Sequence, residues 1–217
     1  AFLASDRSCH LPFPPPFRLA ATKSRTMPFS ALPAPLSAAL VTKGYTAPTS
    51  VQAAVIQPEA LGRDLVVSAR TGSGKTIAFG LAMGVQLLAE QPELPAPGAP
   101  LALVIAPTRE LALQVARELE WLYANAEAKI ATCVGGMDYR TEKRALDRGA
   151  HIVVGTPGRL RDHIERKSLD LTNLRAVVLD EADEMLDLGF REDLEFILET
   201  APEDRRTLMF SATVPKE

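Results

Sequence analysis

The feature of this sequence that most constrains its fold is a series of six short apolar runs separated by segments with helical periodicity. The runs are rich in Val, Ile and Leu at consecutive positions, as expected for strands buried on both faces of a sheet. They span residues 65–69, 101–106, 130–134, 151–155, 176–179 and 207–211. This alternation predicts an α/β fold in a single domain, a parallel sheet with helices on both faces.

The segments between the runs support that interpretation. Within residues 109–124, apolar side chains recur on one helical face, at Leu111, Val115, Leu119 and Leu122. The proline-rich segment 91–100 is predicted to be a surface loop. Because ligands bind beyond the carboxyl ends of the strands in such sheets, chemical motifs are expected directly after the apolar runs.

Size and charge limit the possible functions. A chain of 217 residues has room for one α/β domain and a tail. Its formal net charge is −3, so any nucleic acid must be held by a few placed groups rather than by a basic field.

Cys9 and Cys133 form no CxxC pair, and the histidines lack metal-ligand spacing. No apolar run reaches the roughly 18 residues of a membrane-spanning helix.

Residues 1–26 differ in composition from the rest of the chain. Four prolines between positions 12 and 16 exclude a continuous helix, and basic residues outnumber the single acidic one. We predict that this segment is a disordered extension or the artefact of a misplaced start, since Met27 opens a segment typical of a protein start. A transit peptide is the alternative, although the amphipathic helix of such peptides is missing.

A glycine-rich loop follows the first apolar run. It matches the phosphate-loop pattern GxxxxGK[ST], with alanine in place of the first glycine. The loop consists of Ala69, Arg70, Thr71, Gly72, Ser73, Gly74, Lys75 and Thr76. Its glycines allow successive N–H groups to point at a phosphate, and the following helix adds its positive dipole end. Lys75 is expected to reach the β- and γ-phosphates, and the Thr76 hydroxyl to hold Mg²⁺.

An acidic motif follows the apolar run at 176–179. Asp180 and Glu181 come directly after this run, about a hundred residues beyond the phosphate loop. We expect Asp180 to bind Mg²⁺ through water and Glu181 to orient and deprotonate the attacking water. Acidic residues also favour helix starts in general, so the position after a buried strand carries this prediction.

Seven motifs together resemble the DEAD-box RNA helicases in order and spacing. Six of them are ARTGSGKT at 69–76, PTRELA at 107–112, GG at 135–136, TPGR at 156–159, DEAD at 180–183 and SAT at 211–213. The seventh is the region around Phe29 and residues 44–52, which resembles the adenine-reading Q motif of that family. Arg70 stands where many relatives carry Gln, and Ser50-Val51 replaces a common Pro-Ile. The sequence around the DEAD motif, at 179–190, is most similar to that of bacterial cold-shock or ribosome-assembly members of the family.

The resemblance implies an ATP site built from several motifs. Gln52 would read the adenine edge, with Thr49 assisting and Phe29 and Tyr45 near the base. Ser211 and Thr213 would form hydrogen bonds toward Asp183 and couple the nucleotide site to the RNA site. With Lys75, Asp180 and Glu181, they form the implied catalytic set, and Mg²⁺ would be held by Thr76 and Asp180.

RNA would be held through its sugar–phosphate backbone, with little sequence preference. The positions that the resemblance implies are Thr108, Arg109, Gly135, Gly136, Thr156, Gly158 and Arg159. Glycine exposes backbone N–H donors and arginine forms bidentate phosphate contacts, so these residue types suit that role. Taken singly, Gly135-Gly136 is typical of a plain turn. Arg109 or Arg159, taken singly, is typical of an ion pair at a helix start.

The family uses two RecA-like domains, and the resemblance assigns residues 27–55 to the Q-motif region and 56–217 to the first domain. Arginine fingers would come from the second domain, so this chain is expected to bind nucleotide with little turnover. The resemblance also implies a cytoplasmic location. Two alternatives stay open: a DNA helicase or translocase with the same phosphate loop, and a nucleotide-gated RNA-binding module without helicase activity.

Overall fold

A computed structural model of the chain describes residues 17–18, 29–70, 72–89 and 93–212. Thr71 and Thr213, both predicted site residues, lie outside the described residues. So does most of the segment 1–26. Its interpretation as a disordered or artefactual extension, like the other domain boundaries, therefore stays a prediction.

The core of the fold is a seven-stranded sheet in which every pair of neighbouring strands is parallel. The strands are β1 (Phe17–Arg18), β2 (Leu65–Ser68), β3 (Ala102–Ile105), β4 (Ile130–Cys133), β5 (Ile152–Gly155), β6 (Ala176–Leu179) and β7 (Arg206–Ser211). Their order across the sheet is β1-β2-β7-β6-β3-β5-β4. The predicted α/β class and parallel sheet are confirmed, and six strands lie at the six apolar runs.

In the part of the chain that the structure describes, eight α-helices connect or flank the strands. They are α1 (Ala34–Thr42), α2 (Ser50–Val55), α3 (Lys75–Leu87), α4 (Arg109–Leu122), α5 (Tyr139–Asp147), α6 (Pro157–Glu165), α7 (Ala182–Asp187) and α8 (Arg191–Thr200). Short 3-10 turns lie at Phe29–Ala31, Pro58–Ala60 and Ala124–Ala126. Side chains mark several helix starts: Thr49 caps α2 in a reciprocal capping box, and Thr108 caps α4. Of the described helices, none combines the length and apolarity that crossing a bilayer requires.

The sheet separates two hydrophobic clusters. In β3, Ala102 and Val104 face one cluster with helices α1, α3 and α4, while Leu103 and Ile105 face the other with α6, α7 and α8. Both sides of each central strand are thus buried, which is why these strands appear in the sequence as continuous apolar runs.

The strand order divides the motifs between two halves of one sheet edge. The phosphate loop, the DEAD motif and the SAT motif follow β2, β6 and β7, which are neighbours. The PTRELA, GG and TPGR motifs follow β3, β4 and β5, which are also neighbours. Because all strands are parallel, both halves present their motifs at the same carboxyl edge, where ligands bind in such sheets.

Candidate functional site

The phosphate loop joins β2 to the N-terminus of α3. Gly72 and Gly74 have φ angles of +79° and +84°, in the left-handed region that glycine alone adopts readily. The loop is tied to its surroundings at the start, where Ala69 N donates to Ser211 O at 3.0 Å. Arg70 is exposed, and Ser73 Oγ is buried without a hydrogen-bond partner among the described residues.

Gly74 combines a left-handed backbone angle with close packing against Gln52. A Cβ atom at this position would lie 2.6 Å from Gln52 Nε2. We therefore expect Gly74→Ala to lower ADP affinity by about tenfold, because the left-handed angle costs an L-residue about 1–2 kcal/mol and the methyl group displaces Gln52. Isothermal titration calorimetry with ADP measures the loss.

Gly62→Ala is the matched control for this substitution. Gly62 has a φ of +70°, but a Cβ there would meet nothing within 4 Å. Thermal unfolding should show a similar backbone cost in both variants, with ADP affinity kept in Gly62→Ala. Equal ADP affinities in the two variants would contradict the packing argument.

The acidic pair lies at the end of β6, opposite the phosphate loop. Asp180 is buried, and the pKa of its carboxyl is raised to about 6: burial is the main cause, Lys75 partly opposes the shift and Glu181 adds to it. Glu181 begins the next turn with φ +53°, a left-handed angle uncommon outside glycine. Strained backbone of this kind clusters at functional sites.

Lys75 connects the loop to the acidic pair. It is the first residue of α3, and its side chain is only 7% exposed. The Nζ atom donates to Glu181 Oε1 at 3.1 Å and lies 3.6 Å from Asp180 Oδ1, which is an ion-pair distance rather than a hydrogen bond. The structure therefore brings Lys75, Asp180 and Glu181 together, as the motifs predict.

The residues of this centre fit a hard divalent cation. Asp180 Oδ1 is a buried carboxylate oxygen that lacks a hydrogen-bond partner among the described residues. Thr76 follows Lys75 in the first turn of α3 and is half-buried. A carboxylate oxygen and a hydroxyl oxygen are suitable donors for Mg²⁺, directly or through water.

The SAT motif begins at the end of β7. Ser211 is buried and pairs in register with Ser68 at the end of β2. Asp183 lies in the first turn of α7. The bond from Ser211 toward Asp183 and the role of Thr213 stay predictions.

The Q-motif region packs against the phosphate loop. Gln52 is 1% exposed; its Oε1 accepts from Thr49 N at 3.0 Å and its Nε2 donates to Gly74 O at 3.4 Å. Thr49 Oγ1 donates to Ser73 O at 3.1 Å. The bonds to Ser73 O and Gly74 O hold the phosphate loop against helix α2. One amide N–H of Gln52 and further lone pairs of its oxygen remain available for a hydrogen bond to adenine. The recognition of adenine by Gln52 stays a prediction.

The two aromatic residues of this region have different surroundings. Phe29 is buried in the hydrophobic cluster around α1 and α3. Tyr45 is half-buried and stacks on Trp121, with ring centroids 5.9 Å apart and planes 23° apart. Their predicted positions near a base are not tested by these contacts.

The predicted RNA positions lie on three turns that follow neighbouring strands. Thr108 and Arg109 follow β3, Gly135 and Gly136 follow β4, and the third set follows β5. That set is Thr156, Gly158 and Arg159. The three turns therefore lie side by side at the carboxyl edge of β3, β5 and β4.

Met137 connects these turns and was not predicted from the sequence. Arg109 Nη2 lies 3.3 Å from Met137 Sδ, and Arg159 Nη2 donates to Met137 O. Gly136 has a φ of +78°, and a Cβ there would lie 3.0 Å from Arg109 Nη1. A methionine after a glycine pair carries no recognisable signal, and only the folded chain shows its position between the two arginines.

Comparisons with known proteins agree with this geometry. A family model described as DEAD/DEAH box helicase matches residues 49–217. The DEAD-box ATP-dependent RNA helicase CshA of Bacillus licheniformis is 44% identical over 180 residues, covering 83% of this chain and 36% of that protein. CshA of Bacillus subtilis is 44% identical over 172 residues, covering 79% and 34%.

Among solved structures, the chain resembles a DEAD box protein from the hyperthermophile Methanococcus jannaschii. The TM-score is 0.75 and the sequence identity 41%, over 85% of this chain and 49% of that one. The chain thus spans roughly a third of the length of the two CshA relatives. Because the family model covers most of the sequence and a RecA-like DEAD-box structure shares its fold, this chain belongs to the DEAD/DEAH box helicase family.

Proposed function

We propose that this chain is the ATP-binding domain of an ATP-dependent RNA helicase. The observation that carries the proposal is the convergence of Lys75 with Asp180 and Glu181 at the mouth of a phosphate loop. Three turns suited to a nucleic-acid backbone lie on the adjoining strands of the same edge. ATP and Mg²⁺ are the ligands proposed for the first half of that edge, and RNA for the second.

The proposed roles in the nucleotide half follow from the positions of the side chains. Mg²⁺-ATP supplies the phosphoanhydride whose γ-phosphoryl group is transferred to water. Lys75 would neutralise phosphate charge, and the free N–H groups at the start of α3 would bind phosphate oxygens. Thr76 and Asp180 would hold the metal ion, and Glu181 would orient and deprotonate the water.

In the RNA half, the proposed contacts are to the backbone and carry no base readout. Turns that end in glycine or precede a helix offer N–H donors, and Arg109 offers a charged donor. We therefore propose that the protein binds single-stranded RNA with little sequence preference.

Turnover is proposed to need a second RecA-like domain. Arginine fingers from such a domain contribute ~10³–10⁵ in rate in related phosphoryl-transfer enzymes. In the whole protein, ATP and RNA would each favour the closed arrangement of the two domains, so each would tighten binding of the other. Bent RNA cannot stay paired, which would open a short duplex locally. The cytoplasmic location implied by the family resemblance forms part of the same proposal.

The test is ATP hydrolysis by this chain with and without single-stranded RNA, together with binding of fluorescently labelled ADP. We expect ADP to bind and RNA to produce no substantial turnover. Failure to bind ADP would contradict the proposed nucleotide site. Strong stimulation by RNA would show that turnover needs no second domain. In a longer chain that contains the second domain, stimulation by DNA instead of RNA would favour the alternative of a DNA helicase.

A further inference from the structure

A charged helix next to the proposed RNA turns carries a buried acidic residue. Helix α5 is mostly polar, but Glu142 in its first turn is only 5% exposed. Its Oε1 accepts from Val134 N at 2.8 Å, and its Oε2 accepts from Arg159 Nε and from His163 Nε2, each at 2.8 Å. A carboxylate buried to this extent is stable in proteins only when it is paired and hydrogen-bonded, as this one is.

These bonds reach two of the three turns proposed to hold RNA. Val134 is the residue immediately before Gly135, and Arg159 ends the TPGR motif. Arg159 is 18% exposed, and its second bond is to Met137 O, on the far side of the glycine pair. Glu142 therefore holds the glycine turn at its start, through Val134 N. It also holds the end of that turn indirectly, through Arg159 and its bond to Met137 O.

The third turn joins through Met137. Arg109, which follows β3, contacts Met137 Sδ with Nη2 at 3.3 Å. The contacts Glu142–Arg159–Met137–Arg109 thus form a continuous series across the three turns. Because the carboxylate holds the inner edge of the Arg159 guanidinium, this arginine is oriented by the protein and does not swing freely from the surface.

His163 supports Glu142 from the opposite side. Its Nδ1 lies 2.8 Å from Ser168 Oγ, and its ring stacks on Tyr139 at a centroid distance of 4.4 Å with planes 10° apart. The Tyr139 hydroxyl also lies 2.8 Å from Ser168 Oγ. The second carboxylate oxygen of Glu142 is therefore held by a ring that cannot readily move.

A metal site is the competing interpretation of this cluster. Ligand atoms of Cys133, Glu142 and His163 lie within 4.8 Å of one another. However, burial and the nearby Glu142 charge raise the pKa of the Cys133 thiol to about 12, so the thiolate that a metal needs is disfavoured. Both oxygens of Glu142 and both ring nitrogens of His163 already have hydrogen-bond partners. The cluster is a hydrogen-bonded network.

We propose that Glu142 is a positioning residue for RNA binding: it holds Arg159 and the Gly135-Gly136 turn so that the three turns form one surface. The inference rests on the proposed function, since it requires these turns to bind RNA. It predicts a selective effect, because Glu142 lies at the β4–β5 end of the sheet and the nucleotide residues follow β2, β6 and β7.

The experiment compares RNA and ADP binding by the whole chain and its Glu142→Ala variant. Fluorescence anisotropy with a labelled single-stranded oligouridylate, at low ionic strength, measures RNA affinity. We expect Glu142→Ala to weaken RNA binding by about tenfold, because Arg159 loses its charge-assisted bond to the carboxylate and Val134 N loses its acceptor, so that both turns are held less firmly. ADP affinity should stay within about twofold, since no nucleotide residue touches this network among the contacts described.

Two further variants separate positioning from general loss of stability. Glu142→Gln keeps an acceptor oxygen for Arg159 and His163 in place of Oε2, while its amide NH₂ group replaces the acceptor for Val134 N. RNA affinity should therefore stay within about threefold of wild type, well above that of Glu142→Ala. Leu198→Ala removes a buried side chain from the cluster around α8 and lowers the unfolding temperature without touching the turns. It should leave RNA affinity unchanged at a temperature where it is folded.

The outcomes distinguish this inference from the proposed function. If wild type binds RNA and Glu142→Ala binds it equally well, the positioning role is wrong and the proposed function stands. A Glu142→Gln variant as weak as Glu142→Ala, or a Glu142→Ala variant that loses ADP and RNA affinity together, also overturns the positioning role. If wild type itself fails to bind single-stranded RNA, the proposed RNA surface is wrong, and the role of Glu142 with it.

Discussion

Replacing Lys75 with alanine is expected to lower the affinity of this chain for ADP by at least about 100-fold. Lys75 is the only cation whose ammonium lies within ion-pair distance of Asp180 or Glu181 among the described residues. Without it, a nucleotide phosphate would approach two carboxylates with no opposing positive charge from the loop. The substitution therefore removes an attraction and leaves a repulsion, which is why its effect should exceed that of Gly74→Ala. Titration with labelled ADP measures it.

The fold should survive this substitution. Lys75 opposes the burial effect on the Asp180 pKa, so its removal raises that pKa further above 6 and favours the neutral acid over an unpaired buried charge. Lys143→Ala is the control, because Lys143 is an exposed lysine paired with Asp147 on α5. It should leave ADP affinity unchanged. Near wild-type ADP binding by a folded Lys75→Ala protein would refute the proposed phosphate site.

The strands could be predicted closely because the sheet is buried on both faces. The runs at 101–106 and 130–134 differ from Ala102–Ile105 and Ile130–Cys133 by one residue or less at each end. The helix predicted at 109–124 ends at Leu122. The order of the strands could not be obtained in this way, since periodicity reports which faces are buried and not which strand lies beside which. The pairing of Phe17–Arg18 with β2 was likewise not predicted.

The candidate site was predictable where a motif carries its own chemistry. The phosphate loop and the Asp-Glu pair are separated by about a hundred residues, yet both follow strands of one parallel sheet, so their meeting follows from topology. Gln52 shows the limit of this reasoning. Its residue type suits adenine, but only the folded chain shows its amide bonded to Thr49 and Gly74.

Two buried charged residues, one beside the proposed RNA turns and one that stabilises the fold, were missed because their surroundings in sequence are polar. Glu142 lies in the segment YRTEKRALD, which resembles an exposed charged helix. Arg206 follows PEDR, typical of a solvent-exposed turn. Charged residues are almost never buried unless they are paired, so a sequence alone favours exposure for both. Their partners come from distant segments, and local pattern contains no information about them.

Arg206 leads to the second large expected effect, a loss of stability. It begins β7 and is 3% exposed. Its guanidinium donates to three backbone oxygens: Nε to Arg63 O at 2.6 Å, Nη1 to Ala82 O at 2.9 Å, and Nη2 to Ala60 O at 2.8 Å. These bonds join the start of β7 to helix α3 and to the segment that precedes β2.

We expect Arg206→Met to lower the free energy of unfolding by about 3 kcal/mol, roughly a hundredfold in the folding equilibrium. Methionine replaces the aliphatic stem, so the loss comes from buried carbonyl oxygens that no longer receive a donor. Burial lowers the Arg206 pKa to about 10, which shows that the charge is costly in this position. Removing the charge recovers part of that cost, and the estimate is therefore below the sum of three separate bonds. Urea unfolding followed by circular dichroism measures the change.

Arg205→Met is the matched control, because it removes the same side chain one position earlier. Arg205 Nη1 bonds only to Ala201 O and Pro202 O, within its own turn. Those bonds connect no separate elements, so the expected loss is about 1 kcal/mol. A similar loss in both variants would mean that the long-range bonds of Arg206 contribute nothing special. A larger loss in Arg206→Met than in Arg205→Met, with ADP affinity kept at temperatures where the variant is folded, would show that the long-range bonds of Arg206 stabilise the fold without shaping the nucleotide site at the other end of β7.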